Sequence, residues 1–240
     1  MKSKFKTIGP SWAHIPKVRA ITVLAKSDDI DFVSFAGNFD STSFCKQSIE
    51  EFINPKVPIH WLKQVHGNLV LKLPDDAAVE ADAAFTNTSK VVCAVRTADC
   101  LPIVFSNMNG SKVGIVHAGW RGLEKGIIEK LLLRFDEVPE NILVWIGPGI
   151  AQKSYEVGPE VEEAFTKISD AYKVAFMPSK DNRFLADLYK IAKIQLQNLG
   201  INLNNVSGAE WDTYTDLDLH SSRRNGKLSG RMATLVWIED

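Results

Sequence analysis

The sequence predicts a single α+β domain with mixed β-sheets. Three observations predict it. Strand-like and helix-like segments interleave without the strict alternation of a doubly wound nucleotide fold. No glycine-rich phosphate fingerprint of the G-x-G-x-x-G or Walker type is present. The 240 residues contain no repeat, low-complexity tract or linker that would divide them.

The lead-in to about Val18 is broken by Gly9-Pro10 and Pro16 and reads as irregular, with one short edge strand. Arg19–Leu24 and Asp31–Phe35 read as strands. Ser41 and Thr42 offer caps for a helix running to Asn54, with Phe44, Ile49, Phe52 and Ile53 at near-helical spacing and Pro55 as its stop. Ile59–Leu62 and Leu69–Leu73 are strand-like and bracket Gln64–Asn68. Leu73–Glu80 is polar and acidic and reads as a loop. Ala81–Asn87 precedes a central strand pair, Val91–Val95 and Leu101–Phe105, and Val113–Ala118 adds a third strand.

Gly122–Phe135 is the clearest helix: Leu123, Ile127, Leu131 and Leu132 form a stripe, with Glu124, Lys125, Glu129 and Lys130 opposite. Asn141–Ile146 is a buried strand running into Gly147-Pro148-Gly149. A second helix starts at Pro159, since proline suits a first turn. A third runs from about Leu185 to Leu199 and stops at Gly200. Val206–Trp211 and Arg231–Ile238 read as final strands around a polar, Arg- and Ser-rich stretch, Thr213–Gly230.

Bulk properties exclude several function classes. Hydrophobic content of 45%, charged content of 24% and a formal net charge of -1 are ordinary for a globular protein. They give no electrostatic reason for nucleic acid or an anionic membrane as partner. No apolar run reaches bilayer length. The basic start Met1–Lys6 lacks an apolar continuation, so it is not a secretory signal. Three cysteines do not make a disulfide scaffold, and a cytoplasmic location is expected. Oligomeric state leaves no signal.

Chemistry concentrates at strand ends. Cys100 sits in the polar break between two apolar strands, His117 where a third enters a glycine-flanked turn, and His66 in the turn after Trp61. Two imidazoles and one thiolate suit a borderline-soft dication such as zinc, and three protein ligands leave an open position. Ligands far apart in sequence are the habit of catalytic rather than structural zinc. Asp99, ionisable within a hydrophobic run, needs a partner or a job. The same residues leave a second chemistry open: Cys100 as nucleophile, His117 as its base, and Asp99 or a backbone carbonyl orienting the ring. Arg121, Arg223, Arg224 and Arg231 are candidate anion handles. Trp120 and Tyr155 are candidate stacking surfaces, and Gly149 and Tyr155 frame a loop suited to a pocket wall. Cys45 and Cys93 read as core; His14, His60 and His220 read as structural or surface residues.

The blocks Gln64–Gly67, Ala81–Ala83, Thr97–Pro102, His117–Gly122, Gly147–Ile150, Tyr155–Gly158, Asp187-Leu188, Ser222–Gly226 and Gly230-Arg231 follow one another in a familiar order. They resemble the laccase-domain family of multifunctional purine nucleoside phosphorylases, also called multicopper polyphenol oxidases and, in some bacteria, peptidoglycan editing factors. The likeness covers roughly residues 60–238, so that 59–240 is the family-like core and 1–58 a divergent N-terminal part.

The resemblance implies a central pair of mixed β-sheets flanked by helices, similar to the toxin-like cysteine deamidase fold. It implies zinc on His66, Cys100 and His117, with copper the other metal attributed to the family. Purine nucleoside and phosphate are the implied partners, and phosphorolysis of adenosine, inosine or methylthioadenosine and deamination of adenosine the implied activities. A polyphenol oxidase needs a multi-copper array that five scattered histidines do not build. A cysteine amidohydrolase acting on cell-wall precursors is the remaining alternative. Two departures stand out. The family's N-terminal Gly-Gly-x-Ser segment and Asn-Arg pair are not evident before residue 60, Ala36-Gly37-Asn38 being the nearest remnant. Asp212-Thr213-Tyr214 replaces the frequent Cys-Thr-Tyr.

Overall fold

The central strands are buried on both faces, and their successive side chains turn to opposite layers. A computed structural model describes residues 6–12, 15–24, 57–76 and 80–240. In chain order its strands are β1 Thr7–Ile8, β2 Val18–Val23, β3 Ile59–Trp61, β4 Val70–Lys72, β5 Ala83–Thr86, β6 Val92–Thr97 and β7 Leu101–Asn107. They continue with β8 Val113–Ala118, β9 Ile142–Ile146, β10 Glu156–Val157, β11 Phe176–Pro178, β12 Phe184–Ala186, β13 Val206–Gly208 and β14 Met232–Ile238. Helices are α1 Trp120–Glu124, α2 Ile127–Phe135, α3 Pro159–Thr166, α4 Leu188–Asn198 and α5 Ser222–Asn225.

The fold is α+β, with mixed sheets and flanking helices. A five-stranded sheet has the order β1-β2-β14-β6-β3 and a six-stranded sheet the order β13-β9-β7-β8-β5-β4. Cys93 and Val95 of β6 meet Val104, Val113 and Ile115 of β7 and β8 in the layer between them. The alternate residues of the six-stranded sheet, Leu101, Ile103, Phe105 and Val116, turn the other way onto Leu123, Ile127, Leu131, Phe135 and Ile191 of the helices. Phe105 and Phe135 are fully buried there, each worth roughly 2–3 kcal/mol of apolar transfer.

Several expectations are corrected. The strands on either side of the Thr97–Cys100 break do not pair with each other: β6 belongs to the five-stranded sheet and β7 to the six-stranded one. The polar break is therefore a crossing between layers. The helix expected over 122–135 is two helices, because Gly126 takes a left-handed φ of 72° and ends the first. Asn68 Nδ2 donates to Lys125 O at that break. The third helix begins at Leu188, capped by Asp187 accepting from Lys190 N at 2.9 Å. The apolar residues before it, Phe184–Ala186, instead form β12, the middle strand of a small sheet β10-β12-β11 that the periodicity did not reveal. Within the polar stretch 213–230 a short helix, α5, is capped by Ser221. The strand expected over 31–35, the helix expected over 41–54, His14, Ala36-Gly37-Asn38 and Cys45 lie outside the described residues. Among the described residues, no helix is long and apolar enough to cross a membrane.

Candidate metal centre

One carboxylate builds the site from two directions. The β5–β8 register pairs Ala83 with Val116, which sets Asp82 opposite His117. Asp82 is fully buried. Its Oδ1 meets His117 Nδ1 at 2.7 Å, and its backbone carbonyl accepts from His117 N at 2.7 Å. The same carboxylate accepts from three successive backbone N–H groups, Val65 at 3.1 Å, His66 at 3.0 Å and Gly67 at 2.7 Å. These bonds hold His66 at a φ of 58°, a left-handed conformation that a non-glycine residue adopts at a cost. Gln64 adds a second clamp: its Nε2 donates to Arg96 O at 2.7 Å and its Oε1 accepts from Arg96 N at 2.8 Å.

Cys100 arrives from the crossing between sheets. Asp99 before it has a φ of 90°. Asp99 Oδ1 accepts from Thr213 Oγ1 at 2.6 Å and Oδ2 from Arg223 N at 2.6 Å, so this acid ties the crossing to the 213–224 segment. Its expected alternative task, orienting His117, belongs to Asp82.

His66, Cys100 and His117 do converge. One ligand atom from each lies within 4.8 Å of the others, and Cys100 Sγ is 3.8 Å from His66 Nε2. The two imidazoles meet edge-on with centroids 4.8 Å apart. With Nδ1 of His117 held by Asp82, its Nε2 is the nitrogen left for a ligand. Gly119 closes the floor: a Cβ there would stand 2.9 Å from Cys100 Sγ and 3.0 Å from His66 Cδ2. Gly119→Ala is accordingly expected to lower metal stoichiometry well below wild type while far-UV circular dichroism stays unchanged, because the methyl displaces the ligands and not the core.

The electrostatics favour a charged pair. Burial alone would raise the Cys100 thiol, but the positive charge of His117 and hydrogen bonds from both imidazoles bring it down to about 6. Burial likewise opposes charge on His117, yet the Cys100 thiolate and the Asp82 hydrogen bond raise it to about 9. Asp82 is held below the usual carboxylate range: burial works against its charge, and His117 and the loop N–H groups outweigh it. Cys93, in the core, is pushed up to about 12 by burial alone and stays a thiol.

A cavity of about 540 Å³ opens over the three ligands. Arg121, Tyr155 and Arg223 line it. The Arg121 guanidinium carbon lies 4.3 Å from the centre of the Trp120 ring, and that of Arg223 lies 5.1 Å from the Tyr155 ring. Gly149 is not in the wall. It is buried behind Leu101, where a Cβ would stand 2.3 Å from Leu101 Cδ2, and its N–H donates to Tyr189 OH. Sequence reasoning missed Arg96 as a lining residue and Asp82 as the organiser. The signal for Asp82 was the one used for Asp99, an acid within a small apolar run.

The departure at Asp212 also has a structural account. Its carboxylate accepts from Ser154 Oγ at 2.7 Å and Ala151 N at 3.2 Å, bracing the loop that leads to Tyr155.

A family described as multi-copper polyphenol oxidoreductase laccase matches residues 45–239. The chain belongs to this family. The match begins upstream of the roughly 60 expected from the motif blocks. Purine nucleoside phosphorylase YfiH of Shigella flexneri is 45% identical over 186 residues, covering 77% of this chain and 75% of its own. The protein of the same name from Escherichia coli K12 is 44% identical over 186 residues, with the same coverage. A solved structure of a Neisseria meningitidis protein superposes with a TM-score of 0.85 at 28% identity, covering 99% of this chain and all of that one.

Proposed function

We propose that this family member is a zinc-dependent purine nucleoside enzyme, cleaving adenosine, inosine or methylthioadenosine by phosphorolysis, deaminating adenosine, or both. The observation that carries the reading is the convergence of His66, Cys100 and His117 at the floor of a cavity walled by aromatic and arginine side chains. The relatives named purine nucleoside phosphorylase support it.

The donor set fits zinc: two imidazole nitrogens and one thiolate, with the far nitrogen of His117 anchored to a carboxylate. Among the described residues this is the one such group of ligands, which favours a single ion over a multi-copper array. Zinc bound there supplies Lewis-acid polarisation of a substrate oxygen or a water of lowered pKa. The chain supplies the rest. Tyr155 and Trp120, each backed by an arginine, offer flat faces for a purine. Asp82 fixes the tautomer and orientation of His117. In phosphorolysis an oxygen of hydrogen phosphate bonds to C1′ of the ribose as the C1′–N9 bond breaks. The bond's electron pair goes to the purine, which takes the proton that the phosphate gives up.

Purified protein incubated with adenosine and phosphate is expected to yield inosine, adenine or ribose 1-phosphate, and a Cys100→Ala variant none. Wild-type turnover no higher than that of Cys100→Ala defeats the reading. Elemental analysis is expected to find about one zinc per chain, and less than a tenth of that in His66→Ala, given three ligands reduced to two.

One observation favours a second reading. Cys100, His117 and Asp82 also stand in the order nucleophile, base and orienting acid, and the thiol is already lowered. A metal-independent amidohydrolase built on them would keep its activity in His66→Ala and in chelator, whereas the zinc enzyme would lose it.

A further inference from the structure

Two buried acids stand at the cavity, and they hold different parts of it. Asp82 holds the two histidines of the candidate ligand set. Asp99 holds the wall. Its Oδ2 accepts from Arg223 N and its Oδ1 from Thr213 Oγ1, both at 2.6 Å, and its backbone carbonyl accepts from Ile150 N at 2.9 Å. The crossing between sheets, the loop 147–155 and the segment 212–224 are tied together at this one residue.

Thr213 is the centre of the tie. It is fully buried and does not line the cavity. Each of its polar groups reaches a different segment. The hydroxyl donates to Asp99, the N–H donates to Gly149 O at 3.0 Å, and the carbonyl accepts from Arg224 Nη1 at 2.7 Å. Arg224, a candidate anion handle by sequence, staples its own segment instead: it also donates to the carbonyls of Tyr214, Asp216 and Leu219. Asp212, immediately before Thr213, accepts from Ser154 Oγ at 2.7 Å, one residue before Tyr155.

Both arms of this network end on one stack. Tyr155 follows Ser154, and Arg223 supplies the N–H that Asp99 accepts; the Arg223 guanidinium carbon lies 5.1 Å from the centre of the Tyr155 ring. A hydroxyl donating to a buried carboxylate makes a short, charge-assisted bond, stronger than a neutral one. The Trp120–Arg121 pair stands on α1, outside this network.

We propose that Thr213 is a positioning residue for the substrate wall: acting through Asp99, it sets where the Tyr155–Arg223 stack stands over the cavity and touches neither substrate nor metal. The inference rests on the purine-nucleoside reading above. It makes nucleoside affinity and zinc affinity the work of separate acids, so that one changes without the other.

The test compares Thr213→Val with Thr213→Ser in the full-length protein. Val keeps the shape and loses the hydroxyl; Ser keeps the hydroxyl and loses a methyl. Thr213→Val is expected to raise the KM for adenosine by about tenfold, with kcat within about twofold, as loss of a hydrogen bond to a charged group felt only in binding does. Calorimetric titration of adenosine without phosphate should weaken by the same factor. Zinc affinity, read by chelator competition, stays within about threefold of wild type, well short of the loss that follows removal of a ligand's orienting partner. Thr213→Ser should keep the KM within about twofold of wild type. A side chain that only filled space would give the reverse order, with Ser the worse of the two. If Thr213→Val does not fold, Ser154→Ala cuts the other arm and is expected to raise the KM several-fold with zinc affinity unchanged. A wild-type KM in Thr213→Val, or a fall in zinc affinity as large as the rise in KM, overturns the positioning role and leaves the nucleoside reading standing. Wild-type protein that neither binds nor cleaves adenosine defeats the nucleoside reading, and the substrate wall with it.

Discussion

Asp82→Ala is expected to lower zinc affinity by roughly 10–100-fold, the usual cost of losing a partner that orients a metal ligand. The substitution removes the acceptor from His117 Nδ1 and from three consecutive N–H groups at once. His117 then loses its fixed tautomer, and the 65–67 turn loses what holds His66 in a left-handed conformation. Stability should also fall, by about 3 kcal/mol, in line with unmaking a buried charged network. Asp82→Asn retains the shape but turns an N–H₂ toward donors, so its affinity should fall between wild type and Asp82→Ala. Competition with a chromophoric chelator reads the affinity, and urea unfolding of metal-free protein reads the stability. Zinc affinity of Asp82→Ala within about threefold of wild type would show that His66 and His117 are held by other means, since this is well below the loss expected for an orienting partner.

The second large effect is on pH dependence. In the metal-free protein the Cys100 thiol titrates at about 6 and the His117 imidazolium at about 9. Metal binds the thiolate and the neutral imidazole. Between these values the thiolate is already formed, but His117 must shed one proton. Apparent affinity should therefore rise about tenfold per pH unit from pH 6 to 9, roughly a thousandfold in all. It should level off above 9 and steepen below 6, where the thiol binds a second proton. At neutral pH, calorimetry in buffers of different ionisation enthalpy should find about one proton released per zinc by these two groups. A flat profile across this window would mean that neither His117 nor Cys100 carries a proton before metal arrives. In His117→Ala most of the affinity should be lost, and the slope should pass to the Cys100 thiol, which rises once the imidazolium that lowers it is gone.

The candidate ligand set was legible because each member carried a local signal. Cys100 sat in a polar break, and His66 and His117 sat at strand ends beside glycines. Asp82 carried the same kind of signal as Asp99, but its role depended on a register between β5 and β8 that periodicity does not specify. The division of the 122–135 helix at Gly126 was missed because a glycine inside an apolar stripe is compatible with helix until its φ is known. The strand Phe184–Ala186 was absorbed into a helix because a short apolar run fits either period.

By itself the sequence determined the α+β class, the positions of most strands, the candidate ligands and the family blocks, because these rest on hydrophobic period and on residue chemistry. Only the tertiary structure decided that the Thr97–Cys100 break crosses between two sheets, that one buried acid serves both histidines, and that Arg121 and Arg223 stack on aromatic rings at the cavity. The physical reason is that strand pairing and layer packing bring together groups far apart in the chain. His117 and Asp82 are 35 residues apart, and Arg231 lines a cavity whose floor comes from residues far upstream in the chain.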